Sequence, residues 1–305
     1  GHALWILATV HEAAGDVAAA IAALRELVDL DPESQPTLAR LADLLRSHQR
    51  FAEAAAYRRR LVERDPAGPH AWALMSEAAI AGEWSWVREV AARLDLSLDP
   101  GDQGPLDYPF GRCKIRFDEG GADLWGERRG PVSARVLSIV GPRKRERYRD
   151  LVVLDTTDLR EPSETSSSDQ RRPDVPIFRA LATIERAEWR SFTVDGPNPG
   201  EAEIDLLRSI VRTLDGELSD RTNPKRRLRD REAADPDTKA LPAFYAFIAV
   251  SPSVDLVELD FCLEALVDTF ERPLAWTELA HALPPGPARD AALERNERIV
   301  ERFGL

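Results

Sequence analysis

The chain has 305 residues, 43% of them hydrophobic and 31% charged, with a formal net charge of −12. Such a length predicts about two domains, and such a balance excludes a disordered chain. The acidic excess argues against a generic binder of nucleic acid or anionic membrane, and no apolar run approaches the roughly 20 residues that span a bilayer. Only Cys113 and Cys262 are present, apart from each other and without metal-ligand neighbours, which fits a reducing, cytoplasmic setting with no metal and no cofactor. Gly1-His2 carries neither an initiator Met nor a signal peptide, and reads as a trimmed or tagged end behind further upstream chain.

In chain order the first feature is a repeat. A shift of 34 residues aligns Leu4 with Leu38 and Trp72, Leu7 with Leu41 and Met75, and Pro32 with Pro66 and Pro100. Ala8 meets Ala42 and Ser76, and Ala20 meets Ala54; small residues there let paired helices approach closely. Gly15 supplies the turn within a pair, and each proline ends a second helix. An ordinary alanine-rich bundle would explain the composition but not the joint agreement of period, prolines and small residues.

On these residues the stretch from 1 to about 102 resembles the tetratricopeptide repeat family, with three helix pairs. The third pair departs from the pattern: Gly82 falls one place early, and Arg88 replaces the small residue. The resemblance implies a right-handed solenoid whose first helices line a concave, partner-binding groove. Groove positions are His2, Trp5, Thr9 and Glu12, then Pro36, Ala39, Asp43 and Arg46, then His70, Ala73, Glu77 and Ile80. Acids in this set disfavour capture of a C-terminal carboxylate and suit a basic or amphipathic protein. Alternatively, the groove holds a helix of the same chain. The expected contact set is Trp5, Thr9, Glu12, Asp43, Arg46 and Glu77, with Trp5 as anchor.

Residues 95–112 are dense in Pro, Gly and Asp and read as a linker, so a second domain is expected over 103–305. There Cys113, Ile115 and Phe117 alternate with Lys114 and Arg116, predicting a strand with one buried face. Further strands are expected over 132–140, 151–154, 177–184, 189–194 and 244–250, with 177–184 and 189–194 as a hairpin. Helices are expected from Asn198 as cap, over 254–270 and over 289–303. Trp276, Leu279 and Ala280 have the spacing that opens a repeat, although Pro284-Pro285 interrupts it, and predict a helical hairpin that caps or docks on the solenoid. Segments 160–174 and 219–237 read as mobile loops. The fold class is therefore a helical solenoid followed by a mostly antiparallel α+β domain with segregated helices.

Chemistry is sparser. Asp155 and Asp158 follow the strand "LVVLD", where many enzymes hold a carboxylate, and Tyr148 lies nearby in sequence. Asp255, Glu258 and Asp260 open a helix, where acids also favour the helix dipole. Cys262 with His281 would be a nucleophile pair, although Cys262 sits among core-type residues. Trp125, Trp189 and Trp276 are stacking or core aromatics. The basic runs 143–149 and 221–231 are candidate phosphate contacts, but they lack the interleaved aromatics that stack bases. The expected function is a non-enzymatic protein–protein adaptor or scaffold; an enzyme in the C-terminal domain, or nucleic-acid binding through the basic runs, is the alternative.

Overall fold

The computed structural model describes residues 1–96, 104–118, 121–144, 148–160, 175–233 and 240–305. Its contacts divide it into two compact units, one of residues 1–136 and 151–185, the other of residues 137–150 and 186–305. The expected junction near residue 102 lies outside the described residues.

The first unit begins with six helices: α1 (His2–Ala13), α2 (Val17–Leu30), α3 (Gln35–Ser47), α4 (Phe51–Arg64), α5 (His70–Ala81) and α6 (Trp84–Arg93). Local chemistry sets their limits. Asp16 caps α2 by accepting from the Ala19 N–H at 3.1 Å, and Pro36 occupies the first turn of α3. Helices α2 and α4 end at Asp31 and Asp65, each followed by the proline of the period. The turns repeat as well: Gly15 and its equivalent Gln49 are both left-handed, at φ 76° and 60°. Ala8, Ala20, Ala42 and Ala54 are all buried, as close helix packing requires. Arg88, where the small residue is replaced, donates instead to the Gly104 carbonyl at 2.8 Å.

Five strands follow: β1 (Gly111–Arg116), β2 (Leu124–Arg128), β3 (Ser133–Val136), β4 (Leu151–Leu154) and β5 (Ile177–Glu185). They close a barrel in sequence order, antiparallel except where β5 meets β1 in parallel. Cys113 and Ile115 point inward with Ala134, Val136, Val152, Leu154 and Phe178. A Cβ on Gly126 would stand 2.4 Å from Ile115 Cδ1, so that wall needs glycine. All four residues of β4 are buried, because Val152 and Leu154 fill the barrel while Val153 joins the core of α5 and α6. Two-sided burial explains why this strand is uniformly apolar.

The second unit holds a sheet of β6 (Arg190–Pro197), β7 (Gly216–Asp220), β8 (Arg227–Leu228) and β9 (Leu241–Val250), with β9 central and antiparallel to the others. Helices α7 (Glu201–Thr213), α8 (Leu256–Val267), α9 (Thr277–Ala282) and α10 (Pro287–Phe303) belong to this unit. Leu207, Val211, Leu259, Leu263 and Trp276 share its core with Phe192, Val194 and Phe244 of the sheet.

Several expectations change. The hairpin of 177–184 with 189–194 does not form. Strand β5 pairs with β1 and β4, leaving it no free edge, and β6 pairs with β9. The connecting "ERAE" lacks hairpin-turn residues, and Glu188 is left-handed at φ 57°. Helix α7 starts at Glu201, because Asn198 Oδ1 accepts from the Gly200 N–H in a turn rather than capping a helix. Trp276, Leu279 and Ala280 pack in the core of the second unit. Of segment 219–237, residues 234–237 lie outside the described residues; the rest contributes to β7 and β8, and Arg226 within it pairs with Asp195 through two hydrogen bonds. Strands β2, β7 and β8 lie outside the expected strands, whereas helix α9 falls within the expected helical hairpin. Of segment 160–174, all but Arg160 lies outside the described residues.

Candidate protein-binding face of the helical array

Trp5, Thr9 and Glu12 stand one and two turns apart on one face of α1. Arg40 of α3 gathers all three. Its guanidinium lies 4.5 Å from the Trp5 ring centre, its Nη2 donates to Thr9 Oγ1 at 2.9 Å, and its Nε donates to Glu12 Oε1 at 3.1 Å. Thr9 Oγ1 also donates to the Trp5 carbonyl at 2.9 Å. Thr9 is exposed, while Trp5 and Glu12 are half-buried. The result is an aromatic and guanidinium platform edged by a carboxylate.

Asp43, Arg46 and Glu77 form a second cluster around Arg58, which reaches in from α4. Arg58 Nε donates to both Glu77 oxygens at 3.0 and 2.9 Å, Nη2 donates to Asp43 Oδ1 at 2.7 Å, and Nη1 lies 3.1 Å from His70 Nδ1. Arg46 bonds Glu77 at 3.5 Å and Asp155 Oδ2 at 2.9 Å. Asp155 immediately follows β4, and Ser76 of α5 donates to the neighbouring Leu154 carbonyl at 2.9 Å. The third inner helix is thus occupied by a strand end of the same unit, where a helix had been the alternative expected.

Burial orders the electrostatics of this cluster. Glu77 has no exposed surface, and burial pushes its carboxyl above the ordinary carboxylate range despite Arg58 and Arg46. Burial, then the Arg58 charge, push His70 below its usual value. For Asp155, burial opposes ionisation, but the Thr157 N–H and Arg46 outweigh it and hold the carboxyl below its ordinary value. Asp43 remains exposed. Of the six expected contact residues, Trp5, Thr9 and Glu12 therefore gather at Arg40, while Asp43, Arg46 and Glu77 gather at Arg58. Arg40 and Arg58 escaped the sequence reading. The long arm of Arg58 starts on a second helix, which repeat positions assign to the outer layer.

The other candidate residues have structural partners. Asp158 accepts from Arg160 Nε at 2.7 Å and from the Ile177 N–H at 3.3 Å. Tyr148 is buried edge-on against Trp189, 4.9 Å between ring centres, and burial raises its hydroxyl above the usual value. Asp255 caps α8 through the Val257 N–H, and Asp260 accepts from Trp276 Nε1 at 2.6 Å and Arg295 Nη2 at 2.7 Å. Cys262 is half-buried on α8 and His281 is exposed on α9. A cavity of about 550 Å³ in the second unit is lined by Asp150, Arg186, Trp189, Arg190 and Phe192 among others; Asp155, Asp158 and Tyr148 are not among its described lining residues. In the basic runs, residues 145–147 lie outside the described residues, and Arg221 donates to the Ile139 carbonyl at 3.0 Å. Among the described residues, no group of three or more His, Cys, Asp and Glu could hold a metal, and no helix is long and apolar enough to cross a membrane.

Residues 12–78 match the family model for the tetratricopeptide repeat, whereas the sheet-rich segment has no family match. No curated protein matches the chain. The period, the six helices and this match agree, so the N-terminal helical segment is a tetratricopeptide-repeat array, a type of module with a general role in protein interaction.

Proposed function

We propose that this protein is a non-enzymatic adaptor that binds a basic or amphipathic protein segment on the inner face of its repeat array. The observation that carries this reading is the Trp5–Arg40–Glu12 cluster, which puts an aromatic face, a hydroxyl and a carboxylate on one wall of a repeat module. Trp5 offers stacking and apolar area, and Glu12 and Asp43 select positive charge. Arg46 and Glu77 act differently, as braces that keep the third repeat in place beside Asp155. Two free cysteines favour a reducing, cytoplasmic setting.

The test uses the whole chain as bait, with wild type compared against Trp5→Ala and Glu12→Lys. A specific partner should lose about tenfold or more in affinity on Trp5→Ala, since a central aromatic anchor contributes about 2 kcal/mol. Its attraction to Glu12 should weaken as salt rises. A partner that binds both variants like the wild type, with helical content unchanged, would place the interface elsewhere.

A further inference from the structure

The cavity of about 550 Å³ in the second unit takes part of its wall from the first residues of β6, Arg190, Ser191 and Phe192. Its volume falls within the roughly 300–1,000 Å³ of ligand sites. Successive strand residues point to opposite faces of a sheet. Phe192 joins the core beneath the helices, whereas Ser191 stands opposite Ala249, which packs with Tyr148 and Trp189 on the other face. A cavity that touches both faces of a strand lies along its edge. One edge of β6 is taken by β9, so the cavity follows the other.

The hydrogen-bond phase of that edge is fixed. Asp195 exchanges both backbone bonds with Ala275, its N–H donating at 2.9 Å and its carbonyl accepting at 2.8 Å. Its N–H and C=O therefore point away from β9. The register with β9 is unbroken over residues 190–197, so the backbone groups of Ser191, an even number of residues earlier, point the same way and open to the cavity.

The side chains beside them are short of partners too. Ser191 is 6% exposed, and its Oγ has no hydrogen-bond partner among the described residues. Arg190 gives Nη2 to the Val254 carbonyl at 2.6 Å, but its Nε is buried without an acceptor. Among the described residues no carboxylate reaches this guanidinium. Buried groups of this kind are ordinarily paired. The acids of the wall do not supply the pairing. Buried Asp150 accepts from the Ala187 N–H at 2.9 Å, and exposed Glu188 is offset in charge by exposed Arg186. Glu188 holds its bend in the left-handed region at φ 57°, a cost that points to a shaped wall.

We propose that this cavity binds a short, extended, acidic peptide segment of another protein. Its backbone pairs with the N–H and C=O of Ser191, along the edge that Ala275 already uses. An aspartate or glutamate side chain accepts from Arg190. Alternate apolar side chains meet Phe192 and Leu256 on one face and Trp189 on the other. This ligand is opposite in charge to the one proposed for the repeat array and binds the other compact unit, so the two readings stand or fall separately.

The test titrates the full chain with a capped pentapeptide, valine–aspartate–valine–aspartate–valine, whose only charges are its carboxylates. The amide resonances of Ser191 and Phe192 and the indole resonance of Trp189 should shift and report the affinity. That affinity should fall about tenfold when lysine replaces aspartate, and about tenfold when the central backbone nitrogens are methylated. Arg190→Gln, which keeps a donor for the Val254 carbonyl, should weaken the parent peptide by about tenfold with the melting midpoint unchanged. If that variant melts early, the lysine peptide on the natural chain decides the charge requirement. Resonances that stay still at millimolar peptide would overturn the proposal, and so would lysine or methylated peptides that bind like the parent. Equal shifts from sodium acetate at matched carboxylate would also overturn it, since the cavity would then hold a free anion rather than a peptide.

Discussion

Gln49 holds a left-handed backbone at φ 60°, where its repeat equivalent is Gly15 at φ 76°. A Cβ in that region costs about 1–2 kcal/mol, partly offset by the greater freedom glycine has in the unfolded chain. Gln49→Gly should therefore stabilise the protein by about 0.5–1 kcal/mol, read as a higher urea midpoint, and Gly15→Gln should lower it. Glu77 presents the opposite case, a buried carboxylate whose two arginine partners would lose their counter-charge. Glu77→Gln should cost about 3–5 kcal/mol, whereas Glu77→Leu joined with Arg58→Met should recover much of that, because the buried charges leave together. Equal losses from the single and the double variant, measured by urea unfolding, would show that the pairing is not what holds α4 against α5.

Between elements, a polar tie from the array to the barrel runs from α3 and α5 to the end of β4. Asp155 carries part of it, with a pKa held below that of a free carboxyl. A group depressed in this way adds stability above its unfolded pKa, and the contribution fades as pH falls through the folded value. Asp155→Asn should thus lower the urea midpoint near neutral pH, and the gap to wild type should close as pH drops from about 5 to about 2. A gap independent of pH would mean that the side chain acts through shape alone. Sequence had marked Asp155 as a catalytic candidate, because an acid after an apolar strand is the same pattern whether it faces a substrate or an arginine.

At the scale of the whole molecule, the array does not bury its own end. Ala78 and Val90 share a core with Leu106, Val132 and Val153, so removing the barrel strips α5 and α6 of apolar cover. A fragment of residues 1–96 should show helical circular dichroism but unfold well below the full chain, with loss beginning in α5 and α6. Exchange measurements that find α6 equally protected in both would contradict this sharing. Repeat arrays couple mainly to nearest neighbours, so α1 and α2 should be the least affected.

The array could be read from sequence because its information is local and repeated. Small residues at Ala8, Ala20, Ala42 and Ala54, glycine at a left-handed turn, and proline after each second helix act within one or two turns, and each is written more than once. The alternation of Cys113 and Ile115 likewise reported a buried strand face. Which strands pair was not written in that way. Strands β5 and β6 lie four residues apart, yet join different sheets, because hydrogen-bond edges are claimed by β1, β4 and β9, distant in sequence. The same holds at the candidate site. Repeat positions placed Trp5, Thr9, Glu12, Asp43, Arg46 and Glu77 on inner helices. Only tertiary structure brought Arg40, Arg58 and Asp155 to them, because a long guanidinium arm finds its carboxylate through space, from whichever element the fold sets beside it.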